Sequence, residues 1–197
     1  MSGKNTPTLF TERLILRKFT EGDLGALFAL LRDKEVNTYL PWFPAETPED
    51  ARRFYRERIE AAYAEEQGCF YAVCLREKDI PVGYINVGTE ESRDLGYALC
   101  KEFWHCGIMS EAGSKVLEQL RKEGVPYVTA THDRNNPRSG GVMRRIGMKY
   151  CYSYEEQWQP KDIHVVFRMY QINLDGKDRV FRNYWDRAKV RFVEEDG

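Results

Sequence analysis

The chain has 197 residues, a formal net charge of -1 from 30 Lys and Arg against 31 Asp and Glu, and 42% hydrophobic positions. This length suits one globular domain, or one domain with a terminal extension, and it buries enough surface to fold without a metal or a disulfide. The balanced charge excludes a dedicated nucleic-acid binder, because such domains carry a basic excess that recruits phosphates. We therefore expect neither a direct nucleic-acid partner nor a metal site.

Cysteine usage and hydropathy indicate the compartment. The five cysteines form no CxxC motif and no paired Cys/His spacing, which is typical of a protein in a reducing cytosol. Residues 1–16 lack the apolar core and cleavage site of an export signal, and no apolar run is long enough to span a bilayer. We expect a cytoplasmic protein with no membrane partner.

The first part of the chain predicts one strand and two helices. Residues 11–19 alternate apolar and charged side chains, as a half-buried strand does. Thr20 and Asp23 resemble a capping box, and apolar residues at helical spacing follow over 24–31. The sequence Thr-Pro-Glu-Asp at 47–50 supplies an N-cap and two early acids for a second helix.

Strand and helix patterns then continue to residue 174. Three β-rich runs separated by charged turns predict an antiparallel meander. A helix, a strand, a second helix and two long strands follow it. The predicted elements are strands at 69–77, 82–89 and 95–100, a helix at 110–122, a strand at 127–131, a helix at 136–147, and strands at 149–158 and 163–174.

The last stretch, residues 175–197, is charged but contains four aromatic residues. Phe181, Tyr184, Trp185 and Phe192 are too many aromatics for a purely solvated segment. We expect this C-terminal extension to pack on the strands at 149–174, either within one chain or across a dimer. The sequence leaves both arrangements open.

The most informative segment is 95–112, LGYALCKEFWHCGIMSEA, which predicts a strand, a short loop with Gly107, and a helix that begins near Met109 or Ser110. The N–H groups at a helix N-terminus, together with the helix dipole, bind a phosphate without basic side chains. Gly107 lets the backbone approach the ligand closely. Many helices follow a glycine turn without binding anything, so this segment alone is weak support.

A second segment, HDRNNPRSGGVMRRIGMKY, follows the strand YVTAT. Asn136 begins a helix there, and Ser139 lies in its first turn. On spacing alone, an ordinary N-cap followed by a polar first-turn residue explains this pair better than a ligand site does.

The two segments in this order resemble the acyl-CoA-binding motif and the following strand and helix of the GNAT superfamily. The opening TERLILR and the whole layout are most similar to the branch that acetylates ribosomal-protein N-termini. The resemblance covers 9–174, the expected domain, and leaves 175–197 as the extension. It implies an α/β fold, more closely an α+β mixed sheet, that is mostly antiparallel and flanked by helices. Two neighbouring parallel strands splay apart in this fold, and acetyl-CoA binds there as the co-substrate.

The resemblance also assigns residues to acetyl-CoA binding. Trp104 and Met109 depart from the family's usual loop pattern, whereas Gly107 conforms to it. The strand before the loop is expected to pair its backbone with the pantetheine arm, and Asn136 and Ser139 match the family's Asn-x-x-Ser. The full expected set is Leu99, Cys100, Trp104, His105, Cys106, Gly107, Ile108, Met109, Ser110, Asn136 and Ser139.

Acetyl transfer to an amine requires a neutral amine, stabilised negative charge on the thioester oxygen, and a proton for the departing thiolate. Ser139 is the expected hydrogen-bond donor near the sulfur. Asp94 aligns with an acidic residue that family members often place before this strand, but it is a poor base unless burial raises its pKa. Glu90, Glu91, His132 and an ordered water remain alternative bases, and His132 is better tuned to neutral pH.

Three aromatic residues are candidates for the acceptor pocket. Trp42 and Phe43 lie in the irregular, proline-punctuated loop at 39–44, and Tyr71 lies on a predicted strand. Cys106 has no neighbouring catalytic partners in the sequence, so we interpret it as a spectator. Arg144 and Arg145 form a pair that usually marks a solvated helix face.

The sequence therefore predicts an acetyl-CoA-dependent N-acetyltransferase that acts on a primary amine, either a protein N-terminus or a small polar amine. The alternative is a GNAT-fold module that binds acyl-CoA without turnover, as a sensor or an assembly partner. A dinucleotide-binding oxidoreductase is disfavoured, since no GxGxxG follows a strand. The sequence allows a monomer or a homodimer.

Overall fold

Five strands from the first half of the chain form an antiparallel sheet in which each strand pairs with the one before it. The predicted meander is confirmed. The strand predicted at 11–19 begins only at Leu14, because the Thr11 N–H donates to the Leu14 carbonyl and closes a tight turn. The computed structural model describes residues 5–195. Its first five strands are β1 (Leu9–Phe10), β2 (Leu14–Arg17), β3 (Cys69–Leu75), β4 (Pro81–Val87) and β5 (Leu95–Leu99).

The second half of the chain forms a separate antiparallel sheet of four strands. These are β6 (Tyr127–Asp133), β7 (Lys149–Trp158), β8 (Ile163–Asn173) and β9 (Arg191–Phe192), in the spatial order β6, β8, β7, β9. The long β7–β8 hairpin lies at the centre of this sheet, and the short β9 from the C-terminal extension pairs with β7.

The two sheets meet where β5 and β6 run parallel. A single bridge joins Asp94 to Thr129, and the Thr129 N–H donates to the Arg93 carbonyl over 3.3 Å. Within residues 5–195, no further backbone pairing between β5 and β6 follows this bridge. The two strands splay apart beyond it, as the sequence resemblance implied.

Helices cover both faces of the first sheet. The capping box predicted at Thr20 is present, and the N-cap predicted at Thr47 is also part of a capping box; each fixes the start of a helical segment. The second helical stretch passes through a π-helical segment, Tyr55–Glu60. The α-helices are α1 (Leu24–Arg32), α2 (Pro48–Phe54), α3 (Ala61–Ala64), α4 (Ile108–Lys122), α5 (Pro137–Arg145) and α6 (Asn183–Arg187), with 3-10 turns at Glu21–Asp23, Val36–Tyr39 and Lys101–Phe103.

Alternation along β3 divides the core into two layers. Cys69, Tyr71 and Val73 belong to the layer that contains α4, and their neighbours in sequence belong to the layer beneath α1 and α2. The α4 layer is continuous with buried residues of α5, which fixes that helix relative to the sheet.

The described part of the C-terminal extension packs on the second sheet of the same chain. The Trp185 ring meets the Tyr152 ring edge-on at 5.3 Å between centroids, and Tyr184 stacks on Tyr154. Glu194 forms an ion pair with Arg168. Residues 196 and 197 of the predicted extension lie outside the described residues.

The contact between α5 and β6 gives a test of the fold. A Cβ atom added at Gly140 would lie 2.6 Å from Nε2 of the buried His132, whereas one added at Gly141 would meet nothing within 4 Å. We expect Gly140→Ala to lower the free energy of unfolding by about 1 to 3 kcal/mol through overpacking. Gly141→Ala, the matched control, should be neutral or stabilising by up to about 1 kcal/mol, because alanine favours the helix.

Urea unfolding of both variants and the wild type measures this difference. Equal stability of the two alanine variants would show that α5 does not pack on His132 as described.

Candidate active site

A cleft of about 1120 Å³ lies in the splay between β5 and β6. It brings together elements that are far apart in the sequence: β5, the loop at 104–107, the first turns of α4 and α5, the end of β6, and the loop at 36–42. Both segments identified in the sequence therefore line one cleft.

The start of α4 forms a cradle for an anion at one end of this cleft. Gly107, the N-cap residue, has φ +74° and ψ 2°, a left-handed conformation that glycine adopts without strain. Ile108, Met109 and Ser110 follow it and line the cleft. The first amides of a helix have no partner within the helix, so this turn offers N–H donors and the positive end of the dipole of a 15-residue helix.

An ion pair that the sequence analysis missed braces this cradle. Glu111, in the first turn of α4, accepts hydrogen bonds from Nε of Arg13 (2.7 Å) and from the Thr11 hydroxyl. The Arg13 guanidinium also donates to the Cys106 carbonyl over 3.0 Å. These contacts fasten the loop to the start of β2. No local pattern could reveal them, since Arg13 and Glu111 are 98 positions apart.

The free edge of β5 presents its odd-numbered residues to the cleft. The Cys100 N–H donates to the Val82 carbonyl, and the Asp94 carbonyl accepts from the Gly88 N–H. Even-numbered residues of β5 therefore bond to β4, and the backbone groups of Leu95, Tyr97 and Leu99 face the splay.

This alternation corrects the prediction for Cys100. The Cys100 N–H already donates to a carbonyl of β4, and the Cys100 side chain does not line the cleft. Cys100 therefore cannot pair with a pantetheine arm. The Leu99 carbonyl does face the cleft, where it accepts a hydrogen bond from the Trp104 indole over 2.8 Å. Tyr97 takes the place on this edge that the sequence analysis gave to Cys100.

Across the cleft, the first turn of α5 carries Asn136 and Ser139. The Asn136 side chain caps the helix, accepting from the Ser139 N–H over 3.4 Å, which confirms the N-cap interpretation. Its amide NH₂ group makes no hydrogen bond to the described residues. The N-cap role is therefore compatible with a ligand contact.

Tyr97 reaches across the splay to Ser139. Its hydroxyl lies 2.8 Å from the Ser139 hydroxyl and donates to the Ser139 carbonyl over 2.9 Å. Burial raises the pKa of Tyr97, so the phenol keeps its proton at neutral pH. The sequence analysis did not single out Tyr97, because the two residues are 42 positions apart and only the splay brings them together.

Asp94 lies at the closed end of the splay and lines the cleft. Its carboxylate has one weak hydrogen bond, from the Thr129 hydroxyl over 3.4 Å, and it forms no ion pair with any residue between 5 and 195. Burial raises the pKa of Asp94 to about 7, and the Thr129 hydrogen bond offsets this rise only in part. Asp94 therefore exchanges its proton near neutral pH.

The other candidate bases are less suited to the role. Glu90 and Glu91 are exposed and do not line the cleft. His132 does line it, but the ring is buried, Nδ1 bonds to the Asp133 carbonyl, and Nε2 packs against Gly140 without a hydrogen-bond partner among the described residues. Burial lowers the pKa of His132, so it is a weak base as well as an inaccessible one.

The structure separates the three predicted pocket residues. Trp42 lines the cleft, and the Arg58 guanidinium lies 5.5 Å from its ring centroid. Phe43 is 63% exposed and is not among the residues that line the cleft. Tyr71 is buried in the core layer beneath α4, because odd-numbered residues of β3 face that layer. The structure therefore places Tyr71 in the core instead of the predicted pocket, and it places Phe43 outside the lining of the cleft.

Cys106 in the loop and Arg144 in α5 do not line the cleft, although their neighbours do. Trp104 and His105 line the cleft, but Cys106 is exposed outside it, and its thiol donates to the Trp104 carbonyl. Arg145 lines the cleft, whereas Arg144 donates to the Tyr170 hydroxyl over 3.0 Å and supports the second sheet.

Comparison with known proteins decides the family. A family model described as the acetyltransferase (GNAT) domain matches residues 13–149, more than half of the chain. The chain belongs to the GNAT acetyltransferase family. The resemblance inferred from the sequence is confirmed, and so is the mixed, mostly antiparallel sheet flanked by helices.

Several relatives of this GNAT acetyltransferase are similar over most of their length. The uncharacterized N-acetyltransferase YnaD of Bacillus subtilis is 30% identical over 158 residues, which cover 75% of this chain and 89% of YnaD. A GNAT acetyltransferase structure from Bacillus anthracis superposes with a TM-score of 0.75 at 24% identity, covering 86% of this chain and 99% of that one. RimL, a ribosomal L7/L12 α-N-protein acetyltransferase solved with coenzyme A, gives a TM-score of 0.74 at 20% identity, covering 87% and 100%.

Two further observations concern residues 5–195 of the GNAT protein. None of the helices has the length and apolar character that crossing a bilayer would require. Nor do three or more His, Cys, Asp or Glu side chains cluster in a way that could hold a metal ion.

The raised pKa of Asp94 predicts a pH-dependent cost in stability. Between about pH 4 and pH 7 the unfolded carboxyl loses its proton while the folded one retains it, so this group lowers stability as the pH rises. Asp94→Asn removes that ionisation. We expect the variant to be more stable than the wild type at pH 8, by at most about 4 kcal/mol at about 1.4 kcal/mol per pKa unit, and closer to it at pH 4.

Urea unfolding of both proteins at the two pH values measures the difference. An advantage of the variant that is the same at pH 4 and pH 8 would mean that Asp94 ionises as freely in the folded state as in the unfolded chain.

Proposed function

We propose that this GNAT protein transfers the acetyl group of acetyl-CoA directly to a primary amine, with Asp94 as the proton acceptor and Ser139 as the hydrogen-bond donor to the departing sulfur. One observation carries the proposal: a single cleft connects the anion cradle at Gly107 with a carboxylate whose pKa burial has raised to about 7. The cradle suits a phosphorylated co-substrate, and the carboxylate suits an amine acceptor.

The residues of the cleft fit acetyl-CoA. The amides of Ile108, Met109 and Ser110 would hold the pyrophosphate, with Gly107 allowing close approach. Arg138 and Arg145 also line the cleft and would add positive charge for the phosphates. The backbone of Tyr97 and Leu99, together with the Asn136 amide, would hold the pantetheine arm. When bound, acetyl-CoA supplies the activated acetyl group.

Asp94 would take the proton that the acceptor ammonium must lose before it can attack. A base works best when its pKa lies near the operating pH, and burial raises the pKa of Asp94 to about 7. Because the carboxylate form is the active one, we expect the rate to rise with pH through this pKa. The absence of an ion pair between Asp94 and any described cation leaves the carboxylate available to the acceptor amine.

Ser139 would donate a hydrogen bond where the sulfur departs. An isolated hydroxyl is a weak acid, but here the Tyr97 phenol, which stays protonated at neutral pH, lies 2.8 Å behind it. The Tyr97 hydroxyl fixes the orientation of the Ser139 hydroxyl, so the two form one hydrogen-bonded pair between β5 and α5. Tyr150, another phenol, lies on β7, bonds to Ser153 and to the Glu194 N–H, and does not line the cleft.

The acceptor belongs to one of two classes. RimL acts on the α-amine of a ribosomal protein, and another protein of this fold, MccE, was solved with acetyl-CoA and AMP as a microcin C7 self-immunity acetyltransferase. A free thiol assay with acetyl-CoA, run against a panel of short peptides and small polar amines, tests both classes. Mass spectrometry should show an added acetyl group on at least one acceptor.

The outcome of the assay separates the proposal from its alternative. Turnover that Asp94→Asn reduces, with loss of the pH dependence near 7, supports the proposal. Acetyl-CoA binding without turnover of any acceptor would instead support a sensor or assembly module.

The anion cradle predicts a charge-specific effect on binding. We expect Gly107→Glu to weaken acetyl-CoA binding at least about fivefold more than Gly107→Gln does, since Coulomb repulsion of a nearby anion is worth about 1 kcal/mol or more. The two variants share the same bulk and the same backbone strain at positive φ, so the difference reports charge alone. Calorimetry measures both dissociation constants. Equal weakening by Glu and Gln would place the phosphates elsewhere.

The hydrogen-bonded pair of Ser139 and Tyr97 predicts that substitutions there lower kcat more than they weaken acetyl-CoA binding. Ser139→Ala should lower kcat by about 10- to 100-fold and change the acetyl-CoA dissociation constant much less, because the donor acts chiefly as the bond breaks. Tyr97→Phe should lower kcat in the same direction. If the double variant loses no more than Ser139→Ala alone, the two hydroxyls act as one unit. A kcat that Ser139→Ala leaves unchanged would assign the proton to water.

A further inference from the structure

The C-terminal extension reaches the neighbourhood of Asp94. Tyr184, in α6, stacks almost parallel on Tyr154 of β7, with ring centroids 5.3 Å apart and an interplanar angle of 8°. Phe181 meets Tyr184 edge-on at 5.2 Å. The Tyr184 ring thus packs both on a strand of the second sheet and on the extension itself.

The same extension holds the turn that carries Asp94. The Asn183 side chain donates to the Glu91 carboxylate over 2.9 Å. On the other side, the Tyr127 hydroxyl donates to the Glu91 carbonyl and the Thr129 hydroxyl to the Ser92 carbonyl, both over 2.8 Å. The turn before Asp94 is therefore held between β6 and α6.

The Tyr184 phenol approaches the carboxylate by way of Thr129: the Tyr184 hydroxyl interacts with the side chains of Ser92 and Thr129, and the Thr129 hydroxyl donates to Asp94 over 3.4 Å. Burial is the main cause of the raised pKa of Tyr184, and the negative charge of Asp94 is the next largest. Asp94 also contributes to the raised pKa of Tyr154 on β7 and of Tyr97 on its own strand. The charge of Asp94 is thus felt by three phenols, its carboxylate accepts a hydrogen bond from the Thr129 hydroxyl, and no cation among residues 5–195 forms an ion pair with it.

We propose that the C-terminal extension is a working part of the active site, in which Tyr184 shields the Asp94 carboxylate from water and Asn183 fixes the turn that carries it. Tyr184 is thus a positioning residue that acts through Asp94. The inference rests on the proposed function for its consequence in catalysis. The extension lies beyond residue 149, where the match to the family domain ends.

Other contacts anchor the extension independently of Asp94 and supply a matched control. Trp185 packs on Tyr152 at 5.3 Å, and the Ser153 hydroxyl donates to the Glu194 carboxylate over 2.8 Å. Trp185 lies in the same helix as Tyr184 but packs on a different residue of β7. Trp185→Ala therefore removes one anchor of the extension and leaves the stack of Tyr184 on Tyr154 in place, so Asp94 should stay covered.

The direct test is a carbon-detected NMR titration of the Asp94 side-chain carboxyl, assigned by its disappearance in Asp94→Asn. We expect Tyr184→Ala to lower the Asp94 pKa by about one unit, because water then reaches the carboxylate. Tyr184→Phe keeps the ring and should retain most of the wild-type value. Trp185→Ala should leave the Asp94 pKa unchanged while lowering the melting temperature.

Each result decides the inference. A lower Asp94 pKa in Tyr184→Ala alone, with rescue by Tyr184→Phe, supports it. An unchanged value in Tyr184→Ala, or equal shifts in Tyr184→Ala and Trp185→Ala, overturns it. The titration needs no substrate, so it tests the inference even if the wild type acetylates no amine and the proposed function fails.

The pH dependence of kcat/KM then connects the extension to catalysis. If Asp94 is the base, the acid limb should move to lower pH in Tyr184→Ala by the same amount as the titration. A limb that stays in place while the NMR pKa moves would support the shielding by Tyr184 but overturn Asp94 as the base.

Discussion

The separation of β5 from β6 is the constraint on which the site depends. Parallel strands normally satisfy each other's backbone groups along their whole length. Here they meet only at Asp94 and Thr129, and the N–H and C=O groups of the next odd-numbered residues of β5 are left to face a cleft. Unpaired backbone groups at a sheet edge are a ready template for an extended partner. The fold thus offers a pantetheine-like chain the place of a missing strand.

The same separation creates the electrostatics of the cleft. At its closed end, the sheets converge around Asp94 and exclude water, and no cation among residues 5–195 pairs with the carboxylate, so burial raises its pKa to about 7. At its open end, the α4 N-terminus presents unpaired amides, and Arg138 and Arg145 line the wall. A carboxylate with a raised pKa and a region of positive potential therefore lie in one cleft but at different ends. A ligand with one phosphorylated end and one reactive end matches this order.

The packing around the site offsets the free-energy cost of burying a carboxylate there. A buried carboxylate that has no paired cation among the described residues destabilises the fold once it ionises. The rings of Tyr154, Tyr184 and Phe181, which pack on one another, offset this cost by burying apolar area. At the other end, the ion pair of Arg13 and Glu111 ties the anion loop to β2. Each brace has a partner outside the two motifs that identify the family: Arg13 lies before them in the chain, and Tyr154 and Tyr184 lie after them.

The sequence by itself determined the features that depend on neighbouring residues. Alternation and helical spacing predicted the strands and helices, the capping boxes at Thr20 and Thr47 set two helix starts, and Gly107 marked the turn into α4. The resemblance of two segments then indicated the family. All of these are local patterns, because they are set by hydrogen bonds and side-chain directions within a few residues of one another.

Only the tertiary structure decided which residues meet. It joined Tyr97 to Ser139, turned Tyr71 into the core, and gave the Cys100 N–H to β4 instead of the cleft. The direction in which a strand residue faces depends on which neighbouring residue pairs with it, and a one-residue shift in the register of the strands reverses that direction. The pKa of Asp94 likewise depends on how closely other segments enclose it, and Tyr184, from the far end of the chain, lies among them. Desolvation is a property of the assembled fold, and no local pattern in the sequence encodes it.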